Sequence, residues 1–82
     1  MRVVVSDRAE KQLRRISKLK QIVIASRLKT LNGGEKLVGY KNIYRVRIGD
    51  YRVVYRRLVN EIYVVLIGHR KEIYELLDRL LR

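Results

Sequence analysis

The feature that most restricts the fold of this chain is a pair of alternating segments within residues 44–55, which meet at Gly49-Asp50. In both segments tyrosine or aliphatic residues occupy every second position, and most of the intervening positions hold arginine. Alternate side chains of a strand point to opposite faces of a sheet. A two-residue loop that begins with glycine also suits a tight hairpin turn. The pattern therefore predicts an antiparallel hairpin with one apolar face and one arginine face.

A loop limited to Gly49-Asp50 fixes the predicted register of this hairpin. It pairs Ile48 with Tyr51, Arg47 with Arg52, Val46 with Val53 and Arg45 with Val54. Like charges directly opposite one another destabilise a strand pair by roughly 0.2–1 kcal/mol. A bound anion would turn the repulsion between Arg47 and Arg52 into attraction for the anion. The alternative is that these arginines form the solvated strand face of a basic protein.

The charge balance of the chain predicts an acidic partner. Its 82 residues include 20 Lys or Arg and 8 Asp or Glu, which gives a formal net charge of +12. Such a surface attracts nucleic acid first of all, although an acidic protein or an anionic membrane surface would also satisfy the charge.

Length and composition limit the size and the setting of the fold. With 82 residues and no cysteine, we expect one small domain across residues 1–82, held together by aliphatic and tyrosine packing. The lack of cysteine is consistent with a reducing compartment. Nothing resembles a signal peptide, and no apolar run approaches the roughly 20 residues of a membrane span. We therefore expect a cytoplasmic chain with no membrane partner.

The first residues predict a strand followed by a helix. Residues 2–5 are mostly β-branched, as in a short strand. Ser6-Asp7 then marks a helix start, with Asp7 and Glu10 at the spacing of a capping box.

Two helices in a hairpin are favoured over one bent helix across residues 8–31, because the apolar phase changes near Ser17-Lys18. The glycines of residues 32–34 predict the end of the second helix. Residues 35–42 are hydrophobic enough to be a connector that lies against the body of the protein.

A second hairpin and a final helix complete the predicted elements. Asn60-Glu61 predicts a turn, residues 62–67 a strand covered on both faces, and residues 71–82 an amphipathic helix. The length of the turn decides which side chains share a face. An even number of loop residues would place Arg52 on the face of His69, and an odd number on the face of Arg70. Because the last strand is apolar on both faces, its pattern leaves this register open.

An arginine cluster on the hairpin could stabilise the pentacovalent phosphate of RNA cleavage. In that reaction the ribose 2′-hydroxyl attacks the neighbouring phosphate, and negative charge builds on the equatorial oxygens. Arginine binds such oxygens bidentately and stays charged. The candidates are Arg45, Arg47, Arg52 and Arg70, with a tyrosine nearby. Tyr74 is either that tyrosine or a core residue, and His69 is either a contributor or an ordinary surface histidine.

Several other kinds of site lack their residues. The chain has one histidine and no cysteine, so it cannot form a two-histidine acid/base pair. No acidic or cysteine-containing cluster suggests a metal site, and Gly33-Gly34 lacks the rest of a phosphate-binding loop. We therefore expect neither a metal nor another cofactor.

The hairpin of residues 44–55 and the segment 65–74, which reads VLIGHRKEIY, together resemble the RelE/ParE superfamily of toxin–antitoxin toxins. The resemblance covers nearly the whole chain. It implies a RelE-like α+β fold in the order strand, helix, helix, three strands and helix. In that fold the helical hairpin packs on a twisted, mainly antiparallel sheet.

The resemblance also implies an activity and a set of site residues. RelE-type members cleave mRNA in the ribosomal A site by means of basic residues on the hairpin and a tyrosine beyond the last strand. The catalytic positions carried over in this way are Arg45, Arg47, Arg52, Arg70 and Tyr74, and the RNA-binding positions expected around them are His69, Lys41, Arg56 and Lys71. The same resemblance favours an odd second loop, with Arg52 and Arg70 on one face.

Partners and alternatives follow from the same resemblance. It implies a cognate antitoxin that binds apolar residues of the helical hairpin or the final helix, with mRNA and the ribosome as the targets. ParE-type members share the sheet but inhibit DNA gyrase and carry no nuclease activity. An inactivated, basic nucleic-acid-binding module is the third possibility.

Overall fold

Five strands and three helices make up the residues that the structure, a computed structural model, describes: 2–31 and 34–81. In chain order they are β1 (Arg2–Val5), α1 (Asp7–Arg14), α2 (Lys18–Lys29), β2 (Glu35–Lys36), β3 (Ile43–Ile48), β4 (Tyr51–Leu58), β5 (Glu61–His69) and α3 (Arg70–Leu81). The strands form one sheet in the order β1-β5-β4-β3-β2. Only the β1–β5 pair is parallel. The predicted α+β class with a mainly antiparallel sheet is confirmed.

The two faces of the sheet carry different helices. On one face, α1 and α2 bury Ala9, Ile24 and Leu28 against sheet residues that include Val53 and Tyr55. On the other face, α3 buries a smaller cluster of Ile43, Val54, Leu66, Ile73 and Leu77. Because side chains alternate along each strand, the odd-numbered positions of β3 and the even-numbered positions of β4 face α3. These are the positions of the hairpin arginines.

The helical hairpin is confirmed, and its first cap differs from the prediction by one residue. Ser6, rather than Asp7, is the N-cap of α1, since its hydroxyl accepts the backbone N–H of Ala9 at 3.0 Å. The same hydroxyl donates to the carbonyl of Val65 at 2.9 Å, which ties the helix to β5. Glu10 lies beyond the capping position and instead pairs with Arg14 at 2.7 Å.

The second helix ends at Lys29, with Thr30 as its C-cap. Two of the residues predicted to end it, Asn32 and Gly33, lie outside the described residues. No helix within the described ranges has the length and apolarity that a membrane span requires.

One strand was missed by the sequence pattern. The predicted connector of residues 35–42 begins with β2, which pairs Glu35 with Arg45 and Lys36 with Tyr44. Two residues are too few to show an alternating pattern, and the pairing depends on the edge that β3 offers. The order therefore contains four strands after the helical hairpin, instead of three.

The first hairpin has the predicted register. Arg47 lies opposite Arg52, and the other three predicted pairs are also present. Gly49 adopts a positive φ of 61°, which a tight turn of this kind requires.

In the second hairpin Arg52 lies on the face expected for it, although the loop and the register both differ from the prediction. Leu58 pairs with Glu61, so the loop consists of Val59-Asn60. The turn therefore begins one residue earlier than predicted, and the prediction of a loop with an odd number of residues was wrong. Farther along, the register shifts, so that Tyr55 pairs with Val64 but Val54 pairs with Leu66. This β-bulge leaves Val65 as the extra residue. Beyond it, Arg52 lies opposite Gly68 rather than Ile67.

Candidate phosphate-binding site

Three hairpin arginines and one tyrosine line a single pocket on the α3 face of the sheet. The pocket has a volume of about 340 Å³, and its lining residues are Gly34, Glu35, Arg45, Val46, Arg47, Arg52 and Tyr74. We call it the arginine pocket. Strand alternation directs the arginines to this face, and the second turn of α3 brings Tyr74 over them. Four of the five residues predicted to be catalytic therefore lie together.

Arg45 is held in place from two sides. Its Nε and Nη2 donate to Oε2 of Glu35 at 3.1 and 2.9 Å. Its Nη1 donates to the hydroxyl of Tyr74, and its guanidinium carbon lies 5.6 Å from the centre of the Tyr74 ring. The hydrogen bond that Arg45 donates to Glu35 raises the pKa of Arg45 above its ordinary value, so this side chain stays charged. An anion that binds Arg45 must compete with the Glu35 carboxylate.

Arg47 and Arg52 carry charge that no described carboxylate neutralises. The ion pairs within residues 2–31 and 34–81 involve Arg2, Arg14 and Arg45. Among the described residues, the side chain of Arg47 donates to the backbone carbonyl of Gly49 alone, at 3.3 Å. Two facing guanidinium groups without a counter-ion are suited to binding a phosphate.

A second pocket continues from the first toward the start of α3. It has a volume of about 430 Å³ and is lined by Arg47, Asp50, Arg52, His69, Arg70, Lys71 and Glu72. We call it the strand-end pocket. It shares Arg47 and Arg52 with the arginine pocket, and it adds Arg70, the fifth residue predicted to be catalytic. The bulge in β5 contributes to this arrangement, because it sets Arg52 opposite Gly68.

The residues predicted to bind RNA divide into two groups. Lys71 and His69 line the strand-end pocket, and both are exposed. Lys41 lies in the turn before β3, and Arg56 pairs with Ile43 and Tyr63 on the sheet. Both are exposed, and neither lines the arginine pocket or the strand-end pocket.

His69 and Tyr74, the two candidate site residues that are not arginine or lysine, lie on different faces of the sheet. His69 is opposite Tyr51, and their ring centres are 4.6 Å apart. Tyr51 packs against the α1 and α2 cluster, so His69 lies toward that face. Tyr74 is the one whose hydroxyl reaches Arg45.

The sequence pattern missed Glu35 as a member of the site. Its only signal was an acidic residue close before a basic hairpin, and β2 is too short for an alternation that would show its facing. Within the described residues, no group of three His, Cys, Asp or Glu side chains could hold a metal ion.

Comparisons with known proteins agree with this architecture. The family model described as the ParE toxin of type II toxin–antitoxin systems, parDE, matches residues 3–74. No curated protein has a significantly similar sequence.

Solved structures show the same fold at low sequence identity. A mutant of the E. coli toxin RelE in the free state has 20% identity and a TM-score of 0.76, over 98% of this chain and 97% of that one. The RelB–RelE antitoxin–toxin complex from Methanococcus jannaschii has 22% identity and a TM-score of 0.68, over 89% of this chain and 96% of that one. The archaeal RelE–RelB complex from Pyrococcus horikoshii has 22% identity and a TM-score of 0.68, over 84% of this chain and 93% of that one. The RelE-like fold is therefore confirmed.

Proposed function

We propose that this chain, which belongs to the ParE toxin family of type II toxin–antitoxin systems, is a ribosome-dependent mRNA endonuclease. The observation that carries the proposal is the arginine pocket. There, three guanidinium groups and the Tyr74 hydroxyl surround a space large enough for a phosphodiester. Such an arrangement stabilises a phosphate as its charge grows in a transition state.

The proposed reaction begins with attack of a ribose 2′-oxygen on the neighbouring phosphorus. Arg47 and Arg52 bind the equatorial oxygens of the pentacovalent phosphate, since no described carboxylate occupies them. Tyr74 donates its proton to the departing 5′-oxygen, and the 2′-hydroxyl proton passes to water. The bond from phosphorus to the 5′-oxygen breaks, and the products carry a 2′,3′-cyclic phosphate and a 5′-hydroxyl. Tyr74 is then reprotonated from water.

The ribosome and an antitoxin are the partners in this proposal. The arginine pocket supplies charge and a hydroxyl, and the ribosomal A site would align the mRNA for in-line attack. The relatives from M. jannaschii and P. horikoshii were solved as complexes of RelE with RelB. A cognate antitoxin would bind this chain in the same way. Exposed apolar side chains on α2, namely Leu19, Ile22 and Val23, offer it a surface.

The test is to induce the chain without its antitoxin and to map the 5′ ends of cellular mRNA. New 5′-hydroxyl ends at codon-spaced positions are expected with the native chain. They should be lost with Arg52→Ala and Arg70→Ala and kept with Arg27→Ala, which removes an exposed arginine from α2. Growth arrest with intact transcripts would contradict the proposal.

Gyrase inhibition is the second candidate, because the matching family model is that of the ParE toxin. In that case the arginine pocket is a binding surface without chemistry. DNA breaks that depend on gyrase and persist with Tyr74→Phe would support it. If the chain has no effect on growth at any dose, it is instead a non-toxic basic module.

A further inference from the structure

A third pocket lies on the opposite face of the sheet, between α1 and the start of α3. Its volume is about 560 Å³, and it lies beside the last residues of β5. We call it the α1 pocket. Its basic lining consists of Arg8, Lys11 and Arg15, and the aromatic side chains of Tyr51 and His69 also contribute.

The three basic residues form one row: Arg8 and Lys11 lie on α1, and Arg15 is its C-cap, which keeps a helical backbone conformation. They are spaced three and four residues apart, so they share a helix face. All three are exposed, and none takes part in an ion pair within the described residues. Glu10 is not available to them, because it pairs with Arg14. Glu72 is the one acidic side chain in the lining, so the α1 pocket is strongly positive.

The α1 pocket neighbours the proposed cleavage site through the strand-end pocket. It shares His69 and Glu72 with the strand-end pocket, which in turn shares Arg47 and Arg52 with the arginine pocket. We call this series of three neighbouring pockets the basic channel; it leads from the α3 face, around the end of β5, to the α1 face. A single strand of nucleic acid laid along it would pass all three pockets.

His69 offers a stacking surface where the channel crosses between the two faces. Its ring contacts Tyr51 with a centre-to-centre distance of 4.6 Å, and the ammonium of Lys20 lies 5.4 Å from the centre of the Tyr51 ring. Tyr51 is half-buried, whereas His69 is exposed. An aromatic ring beside a row of cations is the arrangement by which proteins bind single-stranded nucleic acid.

We propose that the α1 pocket binds the single-stranded RNA that flanks the cleaved linkage, with its phosphates on Arg8, Lys11 and Arg15 and a base stacked on His69. This inference rests on the proposed function for the identity of the strand. An acidic protein segment would use the cations but not the exposed ring. It would also gain nothing from the arginine pocket nearby.

The test measures binding of 2′-O-methyl RNA, which cannot be cleaved by attack of its own 2′-oxygen. Two labelled oligonucleotides are compared, one of about 12 nucleotides that can fill the channel and one of about 4 that cannot. The variant Arg8→Gln/Lys11→Gln/Arg15→Gln is matched by Lys18→Gln/Arg27→Gln/Lys29→Gln, which removes three exposed positive charges from α2. Glutamine keeps the helix propensity close to that of lysine and arginine.

We expect the α1 variant to weaken binding of the long RNA about tenfold and to leave the short RNA unchanged. The slope of log affinity against log salt concentration should fall in magnitude by about 2, since three phosphate contacts are lost and each contact to a single strand contributes about 0.7. The α2 variant should change both RNAs by less than about threefold. Equal losses in the two variants would overturn the proposal. So would unchanged RNA binding with loss of antitoxin binding, which would assign this face to a protein.

Stacking has its own readout. A 2-aminopurine base in the long RNA should lose fluorescence on binding, and His69→Ala should abolish this quenching while His69→Phe retains it. Quenching that survives His69→Ala would overturn the role of His69. Because these RNAs are never cleaved, the binding experiments test the α1 pocket alone. A failure to find new mRNA ends would count against the proposed nuclease activity and not against RNA binding in the α1 pocket.

Discussion

Glu35 decides whether Arg45 is available to a ligand. Its carboxylate accepts two hydrogen bonds from the Arg45 guanidinium, which also donates to Tyr74. A phosphate that enters the arginine pocket is repelled by this carboxylate and competes with it for the same donors. Glu35 is thus a negative group inside a site whose other charged side chains are positive.

Replacement of Glu35 by glutamine should tighten RNA binding. Glu35→Gln removes one negative charge from the arginine pocket and frees Arg45, so we expect affinity for a short 2′-O-methyl RNA to rise about three- to tenfold. Fluorescence anisotropy measures the change. Glu61→Gln is the matched control, because Glu61 pairs with Arg2 at 3.8 Å and lines neither the arginine pocket nor the strand-end pocket. Weaker binding by Glu35→Gln would mean that Glu35 orients Arg45 rather than blocking it.

Gly34 lies too close to the core for any side chain. It has a φ of 145°, and a Cβ built on it would overlap the hydroxyl of Tyr55, which is fully buried. Gly34→Ala should therefore lower the free energy of unfolding by roughly 1–3 kcal/mol in urea denaturation. Gly39→Ala is the control, since Gly39 also has a positive φ but its Cβ would meet nothing within 4 Å. Equal losses would show that backbone strain, rather than overlap with Tyr55, is responsible.

At the scale of elements, two side chains tie α1 to β5: the amide oxygen of Gln12 accepts the backbone N–H of Ile67 at 2.8 Å, and the Ser6 hydroxyl reaches the same strand. Ser6 caps the helix through Ala9 and donates to Val65 in β5. Ser17 occupies the same capping position in α2 but makes no side-chain capping hydrogen bond. Replacement of Ser6 should therefore lower the free energy of unfolding more than replacement of Ser17.

Ser6→Ala should lower the free energy of unfolding by about 1–2 kcal/mol, because it removes a helix cap and leaves a strand carbonyl without that donor. Ser17→Ala should cost less than about 0.5 kcal/mol. Urea denaturation of both variants gives the comparison. A loss with Ser17→Ala as large as that with Ser6→Ala would contradict the assigned hydrogen bonds.

The elements also show how far the sequence could predict the site. The first hairpin was predictable to the residue, because alternation and a Gly-Asp turn fix its register. That register brought Arg47 opposite Arg52. The second hairpin was not predictable in this way, since β5 contributes buried apolar residues to the clusters on both faces and its pattern gives no sign of the bulge at Val65. Glu35 escaped prediction because its strand has two residues and owes its pairing to β3.

Over the whole molecule, positive charge far exceeds negative charge. The net charge is +12, and the described residues contain three ion pairs. Mutual repulsion of this kind destabilises a compact state, and salt screens it.

Added salt should therefore stabilise the free chain. We expect the thermal unfolding midpoint to rise as NaCl increases from about 20 to 300 mM, since the Debye length falls over this range. Phosphate should raise it further at equal ionic strength, because it also binds the arginine pocket. In Arg47→Gln/Arg52→Gln the extra effect of phosphate should become smaller while the effect of NaCl remains. A midpoint that falls with NaCl would show that the ion pairs outweigh the repulsion.

The parallel pairing of β1 with β5 has a consequence for synthesis. During synthesis β1 finds its partner only when residues 61–64 have followed it, because Arg2 pairs with Glu61 and Val5 with Val64. Contacts between such distant parts of a chain form late in folding. Arg70 and Tyr74 are made later still. A nascent copy therefore has no assembled arginine pocket while most of it is being translated, and any copy cut short before α3 lacks the Tyr74 side of that pocket.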